Sequence, residues 1–114
     1  MAERPPSECS AGGYHAGMVY EKYRWDDSRG DEHDDWGCCW FYFEFGEDDY
    51  AVRQMELYDS GVRLRYGLEH VEDEFGGLSL GRRSDMEAPV PEVLTPAEFE
   101  RVWNAGPWHN QPPA

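Results

Sequence analysis

Residues 38–66 read CCWFYFEFGEDDYAVRQMELYDSGVRLRY, and this stretch decides the fold. It contains three apolar segments separated by two short polar breaks, GEDD at 46–49 and DSG at 59–61. The first segment, 38–45, is the most apolar run of the chain, and its aromatic content and flanking glycines favour a largely buried strand. The two segments after the breaks alternate apolar and polar side chains, which is typical of strands with two different faces. Because both breaks are short, we predict an antiparallel β-meander of three strands.

A further strand is predicted in front of the meander. Residues 18–25, MVYEKYRW, alternate in the same way, which raises the sheet to four strands. Within the meander, alternation places Ala51 on the same face as Met55 and Leu57. Residues 67–93 are harder to interpret, and the tripeptide Leu-Ser-Leu at 78–80 is the candidate for a short fifth strand.

The last predicted element is a helix with a clear start signal. Thr95 is placed as the N-cap, Pro96 at the first helical position and Glu98 at the third, which together form a capping box with proline where a helix start tolerates it. The apolar side chains spaced to dock on a sheet are Phe99, Val102 and Trp103. The pattern therefore predicts a short C-terminal helix that packs on one sheet face.

These elements predict an α+β fold with one domain. We expect an antiparallel sheet of about four or five strands, with the C-terminal helix on one face, over residues 18–105. The ends are rich in Pro, Gly and small polar residues, which predicts a flexible leader at 1–17 and a flexible tail at 106–114. The 114 residues of the chain suffice for one hydrophobic core.

The charge of the chain limits its partners. It has 24 Asp and Glu against 10 Lys and Arg, and a net charge of −14. Such a surface repels phosphate backbones and anionic membranes and favours basic partners. We therefore expect a basic protein partner, with no direct nucleic-acid or membrane binding, while the oligomeric state stays open. The alternative is that the charge only keeps the protein soluble.

Three cysteines and the absence of a long apolar run set the expected compartment. Cys9, Cys38 and Cys39 do not form the even-numbered framework of a secreted disulfide protein. No stretch approaches the roughly 20 apolar residues of a membrane helix. The cytoplasm is therefore the expected location.

No catalytic motif stands out, and neither a metal nor a cofactor is predicted. The chain lacks a glycine-rich phosphate loop, GxSxG, HExxH and a CxxC pair. A zinc site from Cys38 or Cys39 with His33 is disfavoured, because a cysteine doublet at the start of an apolar strand more often has one core and one partly exposed member. The acidic loop at 26–35 lacks the alternating oxygen ligands and central glycine of a calcium loop.

Two glutamates within the predicted strands invite a catalytic interpretation. One of Glu44 and Glu56 could face Arg53 or Arg65 across the predicted sheet, so a cross-strand charge pair is the simpler explanation. Paired carboxylates mean little without a pocket in a chain with 24 acids. We therefore predict a structural role for them.

Acidic loops and aromatic side chains together predict a binding surface. Trp40 and Tyr42 lie on one side of the predicted strand, and Cys39, Phe41, Phe43 and Phe45 lie on the other. One helix covers only one sheet face well, so some of these aromatic side chains should reach the other face. The alternative is that Trp40 and Tyr42 pack under residues 67–93. Rings serve as anchors and carboxylates as steering groups in such a surface. The candidate partner-binding residues are Asp26, Asp27, Asp31, Glu32, Asp34, Asp35, Trp36, Trp40, Tyr42, Glu47, Asp48 and Asp49.

The order of these features resembles a family of small acidic bacterial proteins that is catalogued only as a domain of unknown function. The resemblance covers about residues 18–104 and is carried by the runs YEKYRW, FYFEFGEDDYAVRQMELYDSGVRLRY and LTPAEFERVW. Matching positions are Trp25, Glu44, Arg53, Glu56, Gly61 and 95–103. The loop at 26–37 departs from the family pattern, being more acidic and lacking a proline. The resemblance implies a small antiparallel sheet with a C-terminal helix. The family has no assigned activity, so the resemblance implies none for this chain.

The leading functional hypothesis is a non-enzymatic binding protein of the immunity or inhibitor type, which neutralises a basic protein such as a nuclease toxin. One alternative is a nucleic-acid mimic that occupies a DNA-binding protein. Another is a small enzyme or metal-dependent domain that uses His33 or His70 with nearby carboxylates. A scaffold or accessory subunit is a further alternative.

Overall fold

The computed structural model describes residues 17–86 and 90–111. Most of the predicted leader, 1–16, and the last three residues of the predicted tail lie outside the described residues. The elements in chain order are β1 Val19–Trp25, β2 Cys39–Phe45, β3 Ala51–Tyr58, β4 Arg63–Gly67, β5 Glu72–Asp73, β6 Gly76–Gly77, β7 Glu92–Val93 and α1 Pro96–Trp103.

Five of these strands form one antiparallel sheet in the order β4-β3-β2-β1-β7. The meander of β2, β3 and β4 and the added strand β1 are confirmed, and with α1 they make the predicted α+β fold. Strands β5 and β6 pair separately as a small hairpin.

The fifth strand is not where the sequence placed it. Residues 78–80 form no strand, because Leu78 donates its backbone N–H to Val71 in the neighbouring loop and Ser79 donates to the side chain of Gln54. The two-residue strand β7 instead pairs with Glu21 and Lys22 at the edge of β1.

The helix begins as predicted. The Thr95 hydroxyl accepts a hydrogen bond from the backbone N–H of Glu98 at 3.1 Å, and the Glu98 carboxylate accepts one from the N–H of Thr95 at 2.8 Å. Helix α1 then packs Phe99 onto the sheet, where it meets Tyr20 and Met55 in a buried cluster. We refer to this side of the sheet as the helix face.

The other side, the second face, is covered by a loop segment rather than by a helix. Tyr23, Phe43 and Phe45 form one buried cluster on it, against which Leu78 and Met86 pack. A second cluster, around Tyr58, Leu64 and Tyr66, packs against Phe75. Residues 71–86 therefore supply the cover of the second face.

A β-bulge changes the facing of one strand residue. Glu44 pairs with Arg53 but Phe45 pairs with Ala51, so Val52 is the extra residue of β3. Because an extra residue reverses the alternation, Ala51 packs with Phe45 on the second face and not with Met55. The prediction that Ala51 shares the face of Met55 is wrong for this reason.

The sequence predicted a flexible tail from residue 106, but within 106–111 the chain packs against the sheet. Trp108 is 8% exposed and packs in the helix-face cluster. The His109 N–H donates to Arg63 O at 2.7 Å, and the Asn110 side chain accepts from Arg65 N at 3.1 Å and donates to Arg65 O at 3.0 Å. The segment thereby satisfies the outer edge of β4, which would otherwise present unpaired backbone groups.

Candidate functional site

The acidic loops proposed as one binding surface lie at opposite ends of the sheet. Strands β1 and β3 end, and β2 and β4 begin, at the loop end, which comprises residues 26–38 and 59–62. The turn at 46–50 lies at the other end, the turn end. A seven-residue strand separates the two by about 20 Å, at roughly 3.3 Å per residue. The structure therefore does not bring Glu47, Asp48 and Asp49 to the acids of the 26–35 loop.

Two aspartates of the loop end shape the loop itself. Asp31 accepts hydrogen bonds from the Arg29 side chain and from the backbone N–H of His33. Asp34 accepts from the Ser28 hydroxyl and from the N–H of Gly30. These bonds lower the pKa of both carboxyls, so the loop is built around ionised side chains.

The remaining loop-end acids face solvent. The side chains of Asp26 and Glu32 are 87% and 83% exposed, and Asp27 and Asp35 are also exposed. Asp26 has one ion-pair partner, Arg24 at 3.5 Å. This set of four carboxylates is the part of the predicted site that is open to a partner.

The turn-end acids have local roles. Asp48 accepts from the backbone N–H of Tyr50 at 3.1 Å, and Asp49 accepts from the hydroxyl and N–H of Ser84. Glu47 is exposed at the same turn. Asp49 has a positive φ of 77°, a conformation that aspartate tolerates in turns.

The three predicted aromatic anchors are not grouped. Trp36 lies at the loop end within a ring cluster, 4.3 Å from the His33 ring and 5.8 Å from Phe75. Trp40 and Tyr42 lie on the helix face, where the ammonium of Lys22 is 4.6 Å from the Trp40 ring and 5.6 Å from the Tyr42 ring. The alternative that Trp40 and Tyr42 pack under residues 67–93 is therefore wrong, because that segment covers the second face.

Sequence reasoning missed a groove on the second face. It lies between the β1–β2 side of the sheet and the 77–86 loop, with a volume of about 410 Å³. Its lining residues are Tyr23, Trp25, Phe41, Phe43, Gln54, Glu56, Gly77, Ser79 and Met86. A smaller cleft of about 270 Å³ shares Trp25, Phe41 and Glu56 and extends to Asp27 and Asp31 at the loop end. The groove thus connects aromatic walls with the acidic loop.

The carboxylate on the groove floor differs from the other two buried glutamates. Glu21 pairs with Arg83 at 2.7 Å, and Glu44 pairs with Arg53 at 2.5 Å. Glu56 is paired with Arg29 only at 3.9 Å, and its carboxylate accepts hydrogen bonds from the neutral groups of Tyr58 at 2.6 Å and Gln54 at 2.8 Å. The cross-strand charge pair predicted from the sequence is therefore confirmed for Glu44 and is not formed by Glu56.

The pKa values of Glu56 and Glu21 are shifted in opposite directions. Burial raises the pKa of Glu56, against the hydrogen bonds from Tyr58 and Gln54, because desolvation disfavours the charged carboxylate. The bond from Arg83 lowers the pKa of Glu21. A buried carboxyl with a raised pKa beside an open cleft is a candidate functional position.

His70 and Asp73 form the second titratable group beside a cleft. His70 lines a cleft of about 510 Å³ that also contains Arg65 and Trp103, and its Nε2 lies 2.8 Å from Asp73 Oδ2. The same carboxylate also accepts from Tyr66 and Asn110. Asp73 thus ties the β5–β6 hairpin to β4 and to the C-terminal segment, which accounts for its partners structurally.

The cysteine doublet behaves as the sequence predicted. Cys39 is buried and Cys38 is half-buried, and both are free thiols. Within residues 17–86 and 90–111, no three His, Cys, Asp or Glu side chains are grouped as a metal site would require. Within the same ranges, no helix is long and apolar enough to cross a membrane.

No protein-family model, curated protein or solved structure matches this chain. The resemblance to small acidic bacterial proteins therefore stays a prediction from the sequence.

Proposed function

We propose that this protein is a non-enzymatic binding module that holds a basic protein partner against its loop end, as an immunity protein or inhibitor does. The observation that carries the proposal is the set of four exposed carboxylates at the loop end, Asp26, Asp27, Glu32 and Asp35, of which Asp27 lines the cleft that continues the aromatic groove. Asp26 lies 3.5 Å from Arg24 and Glu32 lies 3.8 Å from the His33 ring, but carboxylates this exposed can still steer and hold a cationic surface.

The aromatic side chains next to these acids support the proposal. Trp25 is 38% exposed and packs edge-on against Phe41, with ring centroids 6.0 Å apart. Large rings in partly open pockets are the usual anchors of protein interfaces, while rim charges mainly accelerate encounter. The loop end combines both features within one region.

Charge distribution favours this function over nucleic-acid mimicry. A mimic needs carboxylates over one contiguous face, whereas the described acids occupy both ends of the sheet. The helix face carries cations instead: alternation places Lys22, Arg24, Arg63 and Arg65 on that side. We therefore place the partner at the loop end and not over a whole face.

The enzyme alternative has less support. His33 stacks on Trp36, and His70 is bound to the structural carboxylate Asp73. Neither imidazole lines the groove that contains Glu56. Ser79, the serine of the groove, accepts a hydrogen bond from the backbone N–H of Gly81, and the Glu56 carboxylate accepts from Tyr58 and Gln54.

The proposal is tested by comparing two variants with equal charge. The loop-end variant carries Asp27→Lys, Glu32→Lys and Asp35→Lys; the turn-end control carries Glu47→Lys, Glu69→Lys and Asp85→Lys. Three reversals of two charge units each change the net charge from −14 to −8 in both. All six side chains are exposed, so both variants should fold.

Each immobilised protein is exposed to lysate of its host at low salt, and bound proteins are quantified by mass spectrometry. We expect one basic protein to be retained in stoichiometric amount by the wild type and the turn-end control, and to be lost by the loop-end variant. Equal retention by the two variants would show that net charge alone explains binding and would overturn the proposal.

A further inference from the structure

We infer that the second-face groove receives an arginine side chain of the basic partner, with its guanidinium between the aromatic wall and the Glu56 carboxylate. This inference rests on the proposed function, because it names what the partner inserts beside the loop end. Three independent features of the groove carry it: its walls, its floor and its mouth.

The walls are aromatic and arranged in a row. Phe41 stacks parallel to Phe43 with centroids 6.0 Å apart and an interplanar angle of 12°, and Trp25 and Tyr23 stand edge-on to them. The planar guanidinium is weakly hydrated and stacks on aromatic faces, which the compact ammonium of lysine does less well. The walls therefore favour a flat cation.

The floor offers negative charge that the fold leaves incompletely compensated. Glu56 is 6% exposed, and a buried carboxylate is stable as an anion only when it is paired and hydrogen-bonded. Glu21 and Glu44 each have an arginine at hydrogen-bond distance, whereas Arg29 stays 3.9 Å from Glu56. A second guanidinium would supply the missing partner.

Arg29 is held in its position by other contacts. It donates to the Phe75 carbonyl at 2.6 Å and to the Tyr58 hydroxyl at 3.1 Å, and it pairs with Asp31 at 2.9 Å. Moving toward Glu56 would break these contacts. The position next to the Glu56 carboxylate is thus left to an external group.

The mouth of the groove carries the matching charge. Asp27 and Asp31 line the cleft that continues the groove toward the loop end. Arg29 lines it too and pairs with Asp31, so Asp27 supplies the net negative charge at this entrance. Carboxylates at an entrance attract a cationic side chain and reject an acidic one. Because acids stand at both the mouth and the floor, charge complementarity selects a basic occupant over an apolar one.

The test is a double-mutant cycle with a defined peptide. The probe is a ten-residue Gly–Lys peptide with one central arginine, and its partner peptide has citrulline, the neutral isostere, at that position. Both are titrated at low salt into wild type and Glu56→Gln, and binding is followed by the indole N–H signal of Trp25 in NMR spectra. The cycle isolates the arginine–Glu56 coupling from the general charge effect.

We expect Glu56→Gln to weaken binding of the arginine peptide at least fivefold more than binding of the citrulline peptide. The ratio of these two losses is the coupling factor. The exposed control Glu47→Gln should give a coupling factor near one. A second variant, Phe41→Leu, retains an apolar side chain and should weaken the arginine peptide about three- to tenfold. Thermal unfolding of each variant establishes that it is folded.

A coupling factor within twofold of one for Glu56, or no measurable peptide binding by wild type, would overturn the inference. If the loop-end charge reversal still abolished partner retention, the proposed function would stand without the arginine site. If the peptide cycle showed coupling while retention did not depend on the loop end, the proposed function would fail instead.

Discussion

The Glu56 carboxylate and the Arg29 guanidinium lie 3.9 Å apart on the second face of the sheet, beyond hydrogen-bond distance, although both side chains are largely buried. The carboxylate instead relies on the neutral donors of Tyr58 and Gln54. Its environment therefore favours the protonated form more than that of Glu21, which has Arg83 in contact. This difference leads to opposite pH dependences for Glu56 and Glu21.

Replacing Glu56 by Gln should make the free energy of unfolding less dependent on pH above pH 4.5. The pKa of Glu56 is raised in the folded state, so its contribution favours folding at low pH and decreases as pH rises from the unfolded pKa through the folded one. At pH 7 the free energy of unfolding should change by less than about 1.5 kcal/mol, because a lost hydrogen bond to Gln54 offsets the removal of a buried charge.

Urea unfolding of wild type and Glu56→Gln between pH 4 and pH 8 measures this effect. The wild type should lose stability relative to the variant over that range. A wild type that gains stability relative to the variant as pH rises would show that Glu56 is well compensated in the fold.

Glu21→Gln should have the opposite pH dependence. The pKa of Glu21 is lowered by the bond from Arg83, so its contribution is present above the unfolded pKa and is lost as pH falls through the folded pKa. We expect a loss of about 1.5 kcal/mol at pH 7, the lower end for charged hydrogen bonds, since Arg83 is 38% exposed. The difference should shrink in urea titrations carried out below pH 4, and a pH-independent difference would contradict the ion pair.

Trp108→Ala should destabilise the fold strongly, although Trp108 lies six residues before the end of the chain in sequence. The indole is buried in the helix-face cluster and lies beneath the guanidinium groups of Arg63 and Arg65, at 5.6 Å and 5.1 Å. Removal of a buried tryptophan costs about 3–5 kcal/mol. Thermal or urea unfolding measures the loss, with the exposed neighbour His109→Ala as the control. A change below about 1 kcal/mol for Trp108→Ala would restore the prediction of a flexible tail.

The two adjacent cysteines should differ in reactivity. Burial, together with the nearby Glu56 carboxylate, raises the pKa of the Cys39 thiol to about 12, whereas Cys38 is half-buried. Because the thiolate is the reactive form, an alkylating reagent at pH 8 should modify Cys38 in the native protein well before Cys39. Peptide mass spectrometry of quenched time points distinguishes the sites, and equal rates in folded protein would contradict the burial of Cys39.

Local patterns explain why much of the fold was predictable. The alternation in 38–66 reports strand faces directly, because the side-chain period of a strand is two. The capping residues Thr95 and Glu98 act within one helical turn, so their signal does not depend on the rest of the chain. The contact between Glu44 and Arg53 follows from strand pairing that two short turns enforce.

The features that were missed all depend on long-range contacts. No residue type at or next to Val52 predicts the bulge. The 106–111 segment is held at the edge of β4, where the Asn110 side chain forms the two backbone hydrogen bonds of Arg65 that a neighbouring strand would otherwise form. The groove exists because residues 71–86 cross the second face, held partly by the bond from Ser79 to Gln54, and no local pattern in that segment predicts its path.

The candidate site was half predictable for the same reason. Acidic composition identified the 26–35 loop and the turn at 46–49, but the loop precedes β2 and the turn follows it, so the two lie at opposite ends of this strand. The exposed ring that we propose as an anchor is Trp25, which the sequence placed at the end of a strand without assigning it to the site. Trp40 and Tyr42 were assigned instead, and they lie on the helix face beneath Lys22.

The central claim is that the loop-end carboxylates hold a basic partner, and the salt dependence of that binding tests it most directly. The dissociation constant for the retained partner should be measured by calorimetry from 50 to 300 mM NaCl for wild type, the loop-end variant and the turn-end control. Our account predicts weaker binding and a clearly shallower dependence on salt for the loop-end variant, with the turn-end control close to wild type. Parallel salt curves for the two variants would contradict it, because net charge alone would then account for the interaction.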